Sequence, residues 1–181
     1  GWDRDLLEGD TVESRVFREA KDEFWSDKFG YDFTPRLALQ RLGTEAGRDV
    51  FHKDIWVYAL EKRIKQHKNV VITDTRFPNE IEWIRSQGGV IVEVKRGERP
   101  DWYDHALLTN KLNSNVMEMY HPDIHFSEWA WIGQKIDFTV NNSGTLKQLG
   151  NGVNNLLTLI ETRDTIDKLY DEKGVVNEVI V

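Results

Sequence analysis

An acid and a base stand two residues apart in Thr73-Asp74-Thr75-Arg76-Phe77-Pro78-Asn79-Glu80. The β-branched run Val70-Val71-Ile72-Thr73 leads into them, and Pro78 suits the first position of a helix. In an open parallel sheet, residues at the carboxyl end of a strand face the crevice where ligands bind. Asp74 there can hold a hydroxyl, a base edge or a metal-bound water. Arg76 can fork onto a phosphate. The plainer alternative is an Asp–Arg pair that only fixes the loop.

A second set lies upstream, in Thr34-Pro35-Arg36-Leu37-Ala38-Leu39-Gln40-Arg41-Leu42-Gly43-Thr44-Glu45-Ala46-Gly47-Arg48. Arg36 and Gln40 are four apart, which puts both on one face of a helix. A glutamine amide offers a donor and an acceptor, enough to read a base edge. Gly43 beside Thr44 lets backbone approach a ligand closely. The alternative is a solvated helix face closed by a glycine cap. Gly43-x-x-x-Gly47-Arg48 is not a phosphate loop, because it lacks the G-x-x-x-x-G-K-[ST] spacing and follows no strand. Further on, Lys95-Arg96-Gly97-Glu98-Arg99-Pro100 sets three bases at the mouth of a loop, as a phosphate-screening lid or a solvated charge run. His105, His121 and His125 show no metal-ligand spacing, and no metal ligand is assigned. His125-Phe126-Ser127-Glu128 reads as a cap with a structural histidine. Trp83, Trp102, Trp129 and Trp131 read as core or lid packing.

Elements must hold these residues in place. The apolar spacing after Asp10-Thr11-Val12-Glu13 predicts one helix over 11–29, with Asp10 and Glu13 at its start. Thr34-Pro35 opens a second helix running to about Gly47, and a third covers about 54–67. Val70–Thr73 is predicted as a buried strand, a helix starts at Pro78 and stops at Gly88-Gly89, and Val90–Val94 is a second strand. That order makes a βαβ unit, which is almost always parallel. Residues 96–122 are predicted irregular, 136–140 a third strand, and Leu146–Ile160 a helix. Residues 161–181 form a mostly charged extension.

Composition limits the function classes. The 181 residues carry 24 Lys and Arg against 31 Asp and Glu, a net charge of −7. That balance argues against a nucleic-acid binder, which runs on clustered bases. There is no cysteine, so disulfides and thiolate metal sites are excluded. No apolar run approaches the ~18 residues of a membrane span. The first residues, Gly1-Trp2-Asp3-Arg4-Asp5, carry neither an initiator Met nor a signal-peptide pattern.

Taken in order, "TPRLALQRLGTEAGRDVFHKDIWV", "VVITDTRFPNEIEWIRSQGGVIVEVKRG", "DIHFSE" and "DFTVNNSGTLKQL" resemble the bacteriophage deoxynucleoside monophosphate kinases, over about residues 31–160. The resemblance implies an α/β fold: a P-loop-kinase-like parallel sheet flanked by helices, with a lid at about 96–122, in one domain over 1–160. It implies transfer of the terminal phosphoryl of ATP, with Mg²⁺, to a deoxynucleoside monophosphate in the cytoplasm of a host cell. Residue by residue, Arg36 and Gln40 would contact the substrate nucleotide, Gln40 at the base. Gly43 and Thr44 would pack against it, and Trp56 would wall the same pocket. Asp74 and Arg76 would face the substrate and the reacting phosphates, and Arg96 and Arg99 would belong to the lid.

One part of the family's pattern does not occur in these residues: the strand and Gly-rich phosphate loop ending in Lys and a hydroxyl residue. The expectation is therefore a kinase domain lacking its first βα unit, with an exposed sheet edge and little turnover by itself. The missing loop would come from an N-terminal segment or from another chain, as in a homodimer. The other reading is a non-catalytic nucleotide-binding or structural module derived from such a kinase.

Overall fold

The computed structural model describes residues 1–172, with side chains through residue 165. The chain divides into two compact units, Gly1–Ile72 and a second beginning at Thr73.

The first unit is helical: α1 (Arg4–Glu8), α2 (Val12–Glu19), α3 (Glu23–Phe29), α4 (Pro35–Arg41), a π-helix over Leu42–Phe51 and α5 (Ile55–Ile64). The predicted single helix over 11–29 is two helices. Ala20 turns extended (φ −72°, ψ 141°), and the Asp22 carboxylate accepts the Trp25 N–H at 3.0 Å, starting α3 anew. An aspartate that can cap competes with helix continuation. The cap of α2 also differs from expectation. Thr11 Oγ1 accepts the Ser14 N–H at 3.1 Å and Ser14 Oγ accepts the Thr11 N–H at 3.0 Å, so Thr11 and Ser14 replace Asp10 and Glu13. Ser26 Oγ accepts the Phe33 N–H at 2.8 Å, and the Asp22 N–H reaches the Phe33 carbonyl at 2.9 Å, which ties α3 to the approach of α4. Phe33, Pro35, Ala38 and Val57 are the buried apolar side chains of a thin core.

The second unit is α/β: α6 (Pro78–Ser86), β1 (Val92–Lys95), α7 (Tyr103–Leu112), α8 (Val116–Tyr120), a 3₁₀ turn over Phe126–Glu128, β2 (Phe138–Asn141) and α9 (Leu146–Glu172). Among the described residues the sheet has two strands, parallel, in register Val92↔Phe138 through Lys95↔Asn141. The predicted strand at 70–73 is a correction. Its residues pair with no strand among those described, and Val71 is 87% exposed where burial was expected. A β-branched run needs a neighbouring ladder to become a strand. The parallel pairing therefore runs between 92–95 and 138–141, and the expected βαβ unit over 70–94 does not form. The segment 96–122 is a second correction. It folds as α7 and α8 around Ala106, Met117, Trp129 and Ile132. Those apolar residues are spread along a polar sequence, and they meet only once the helices cross. Trp102 and Trp131 pack against the same cluster, as expected of them. The helix predicted over 146–160 forms and runs on to Glu172; the last nine residues of the expected extension lie outside the described residues.

Asp137 joins the helical and strand layers. Its carboxylate accepts the Ile91 N–H at 2.8 Å and pairs with Arg85 of α6 at 3.1 Å. Among the described residues, no helix is long and apolar enough to cross a membrane.

Candidate functional site

The residues singled out by type and spacing fall into both units. In the first, Thr34 Oγ1 accepts the Leu37 N–H at 3.1 Å and Pro35 fills the first turn of α4. The helix therefore begins where a cap and a ring with fixed φ put it. Arg36 and Gln40 project from one face of α4. Arg36 pairs with Glu19 of α2 at 3.2 Å and keeps 40% of its side chain exposed. Gln40 is half-buried, and its amide meets no side-chain or backbone partner among the described residues.

Directly after α4 the backbone widens into the π-helix, where expectation was a plain α-helix ending near Gly47. His52 N–H, for example, reaches the carbonyl of Gly47 at 3.2 Å, five residues back. Trp56 fixes this widened turn. Its indole Nε1–H donates to the Gly43 carbonyl at 2.7 Å. A Cβ at Gly47 would stand 2.9 Å from the Trp56 ring, so only a glycine lets the ring lie against the backbone there. Gly43 and Trp56 are thus brought together, with Thr44 next to Gly43 in the chain, and Trp56 stays 43% exposed. π-Helical turns are rare and are frequently found at functional sites.

In the second unit Arg76 is held twice. Glu80 of α6 accepts the backbone N–H of Arg76 at 2.8 Å and that of Phe77 at 3.0 Å. The Arg76 guanidinium donates through Nη1 to Glu128 at 2.6 Å. Phe77, next to Arg76, and Phe126, two residues before Glu128, pack with ring centres 5.8 Å apart. Asp74 is exposed and meets no side-chain partner among the described residues.

Beyond β1, the Gly97 N–H donates to Ser143 Oγ at 2.8 Å, and the Asn142 N–H reaches the Lys95 carbonyl at 2.7 Å. These bonds clip the two strand ends together. Arg96 extends from this clipped turn, exposed and without a partner among the described residues. Arg99 is occupied. It pairs with Glu93, whose side chain is 11% exposed, and stacks 4.3 Å from the Tyr103 ring centre. The Glu93 hydrogen bond raises the Arg99 pKa further above its ordinary value.

The sequence identified the arginines but not the carboxylates that hold them. Glu128 was read only as part of a cap. That cap does form: His125 Nδ1 accepts the Ser127 N–H at 3.3 Å. Its second use, 52 residues away in sequence from Arg76, carries no local signal. The pairing of His105 Nδ1 with His121 Nε2 at 2.9 Å, between α7 and the end of α8, was equally unforeseen. Among the described residues, no three His, Asp or Glu side chains stand together to hold a metal ion. A hard divalent cation needs about six oxygens. Asp74 alone does not supply such a site.

Comparison with known proteins gives three findings. The family described as deoxynucleotide monophosphate kinase matches residues 7–116, well over half of the chain. A deoxynucleoside-5'-monophosphate kinase of Escherichia phage T5 is 52% identical over 54 residues, which is 29% of this chain and 22% of that protein. A putative deoxynucleotide monophosphate kinase of Acanthamoeba polyphaga mimivirus is 30% identical over 92 residues, 44% of this chain and 45% of that protein. The matched stretches span less than half the length of these relatives. No solved structure matches the chain.

Proposed function

The chain belongs to the deoxynucleotide monophosphate kinase family, and from that premise we propose that the protein these residues belong to transfers the terminal phosphoryl group of ATP to a deoxynucleoside monophosphate. The family match over 7–116 carries this reading, because it spans the α4 face, the Asp74–Arg76 loop and the Arg96 turn alike.

In this reading the fold is that of a P-loop kinase, and α7 and α8 lie in its lid. An oxygen of the substrate phosphate attacks the γ-phosphorus, and the bond from that phosphorus to the bridging oxygen of ADP breaks. Catalysis of such a step is mostly positioning and charge stabilisation. Arg36 and Gln40 hold the nucleotide, with Gln40 at the base edge. Gly43, Thr44 and Trp56 form the wall beside it. Arg76 takes the substrate phosphate, Asp74 orients it through a hydroxyl or water, and Arg96 shields the donor phosphates. Arg99 serves the lid through Glu93 and Tyr103 rather than by touching phosphate. Magnesium, when bound, would neutralise charge on the donor phosphates; the described residues do not assemble a cage for it. In this reading the enzyme works in the cytoplasm of a host cell.

The alternative reading is a non-catalytic nucleotide-binding or interaction module. The G-x-x-x-x-G-K-[ST] spacing that cradles donor phosphates occurs nowhere in the 181 residues. Calorimetry with dGMP, dTMP and dCMP tests the nucleotide site. Binding by the unaltered chain, weakened about tenfold or more by Arg36→Ala or Gln40→Ala, is the expected result. No binding by any form counts against the site. A coupled assay with ATP is expected to show little turnover from these residues alone, and robust turnover would overturn that part of the reading.

A further inference from the structure

Arg76 spends only part of its donor set inside the protein. A guanidinium has five N–H groups in a rigid plane, and its fork-shaped edges match two oxygens of a phosphate. Among the described residues Arg76 bonds through Nη1 to Glu128 and through nothing else on its side chain. The edge formed by Nε and Nη2 therefore stays open, and the side chain is 49% exposed. Glu128 is itself placed, since it closes the 3₁₀ turn that His125 caps. Phe126 of that turn packs against Phe77, the residue next to Arg76. The backbone under Arg76 is pinned separately by Glu80.

We propose that Glu128 is a positioning residue: it holds the Arg76 guanidinium so that the open Nε–Nη2 edge is presented, already oriented, to the phosphomonoester of a nucleotide. The proposal rests on the kinase reading above. An ion pair this exposed contributes little to stability. Its use is to remove rotamer freedom that Arg76 would otherwise lose when ligand binds. The arrangement also assigns a task to the His125–Glu128 turn, which is to carry the carboxylate that aims Arg76.

The test is calorimetry on the full chain with dGMP, and in parallel with deoxyguanosine, which lacks the phosphate. Glu128→Ala is expected to weaken dGMP binding about tenfold and to leave deoxyguanosine binding unchanged. Glu128→Gln keeps an acceptor oxygen for Nη1 and is expected to recover most of the loss. In an Arg76→Ala background, Glu128→Ala is expected to cost nothing more. Thermal melts of all variants are expected to coincide with the unaltered chain. Equal or tighter dGMP binding by Glu128→Ala overturns the proposal, because the carboxylate would then be idle or a competitor for the arginine. An equal loss for deoxyguanosine overturns it too, as a general structural defect. If the unaltered chain binds neither dGMP, dTMP nor dCMP, the kinase reading fails and this proposal fails with it. Normal binding that ignores Glu128 defeats this proposal alone.

Discussion

Three of the four arginines singled out by motif lean on a carboxylate: Arg36 on Glu19, Arg76 on Glu128 and Arg99 on Glu93. Arg96 has no such partner among the described residues. The difference divides them by cost of removal. Glu93 is nearly enclosed, so Arg99→Ala strands a buried carboxylate and removes a cation from the Tyr103 face. Chemical denaturation is expected to show a loss of about 1–3 kcal/mol for Arg99→Ala. Arg96→Ala is expected to stay within about 0.5 kcal/mol of the unaltered chain. A reversal of that order would remove Arg99 from its structural role. At this scale the sequence exposes charge and spacing. It does not expose the partner, because Glu128 approaches Arg76 through the fold rather than along the chain.

Local rules account for most of the elements. Thr34-Pro35 starts α4, Pro78 starts α6, and Gly30 and Gly88 adopt the left-handed backbone (φ +77° and +76°) that closes a helix. They fail where two local preferences compete. Asp22 caps a new helix inside an otherwise helical apolar pattern, and its carboxyl is held below the usual range by the Trp25 N–H first and the Trp2 indole second. The π-helix is invisible to a 3.6-residue period because its extra residue per turn is stabilised from outside, by Trp56. Gly47→Ala tests that account. The new Cβ would crowd the Trp56 ring at 2.9 Å and the Leu42 carbonyl at 3.0 Å. Unfolding measurements are expected to show a loss of about 1–3 kcal/mol. A neutral result would mean that the ring does not seat the turn.

For the molecule as a whole, the α/β character, a parallel sheet and the strands near 90–94 and 136–140 were legible from β-branched runs and their spacing, but the expected partner of 90–94 was 70–73 and not 138–141. The isolation of residues 70–73 was not legible, because a strand's existence depends on a neighbour the run itself cannot specify. What secures the small sheet is Asp137. Burial alone would raise its pKa, but the Ile91 N–H and the Arg85 guanidinium outweigh burial and hold it below the ordinary carboxylate value. A depressed folded-state pKa contributes stability that is fully present above the ordinary value of about 3.9 and is lost as pH falls through the folded value. Asp137→Asn is expected to flatten this acid limb and to cost about 1–3 kcal/mol at neutral pH, read by denaturation at several pH values. An unchanged acid limb would mean that another carboxylate governs it. The sheet so secured has β2 on one side of β1 and, among the described residues, no strand on the other. A strand edge left without a neighbour keeps a row of backbone donors and acceptors that its own sheet does not use.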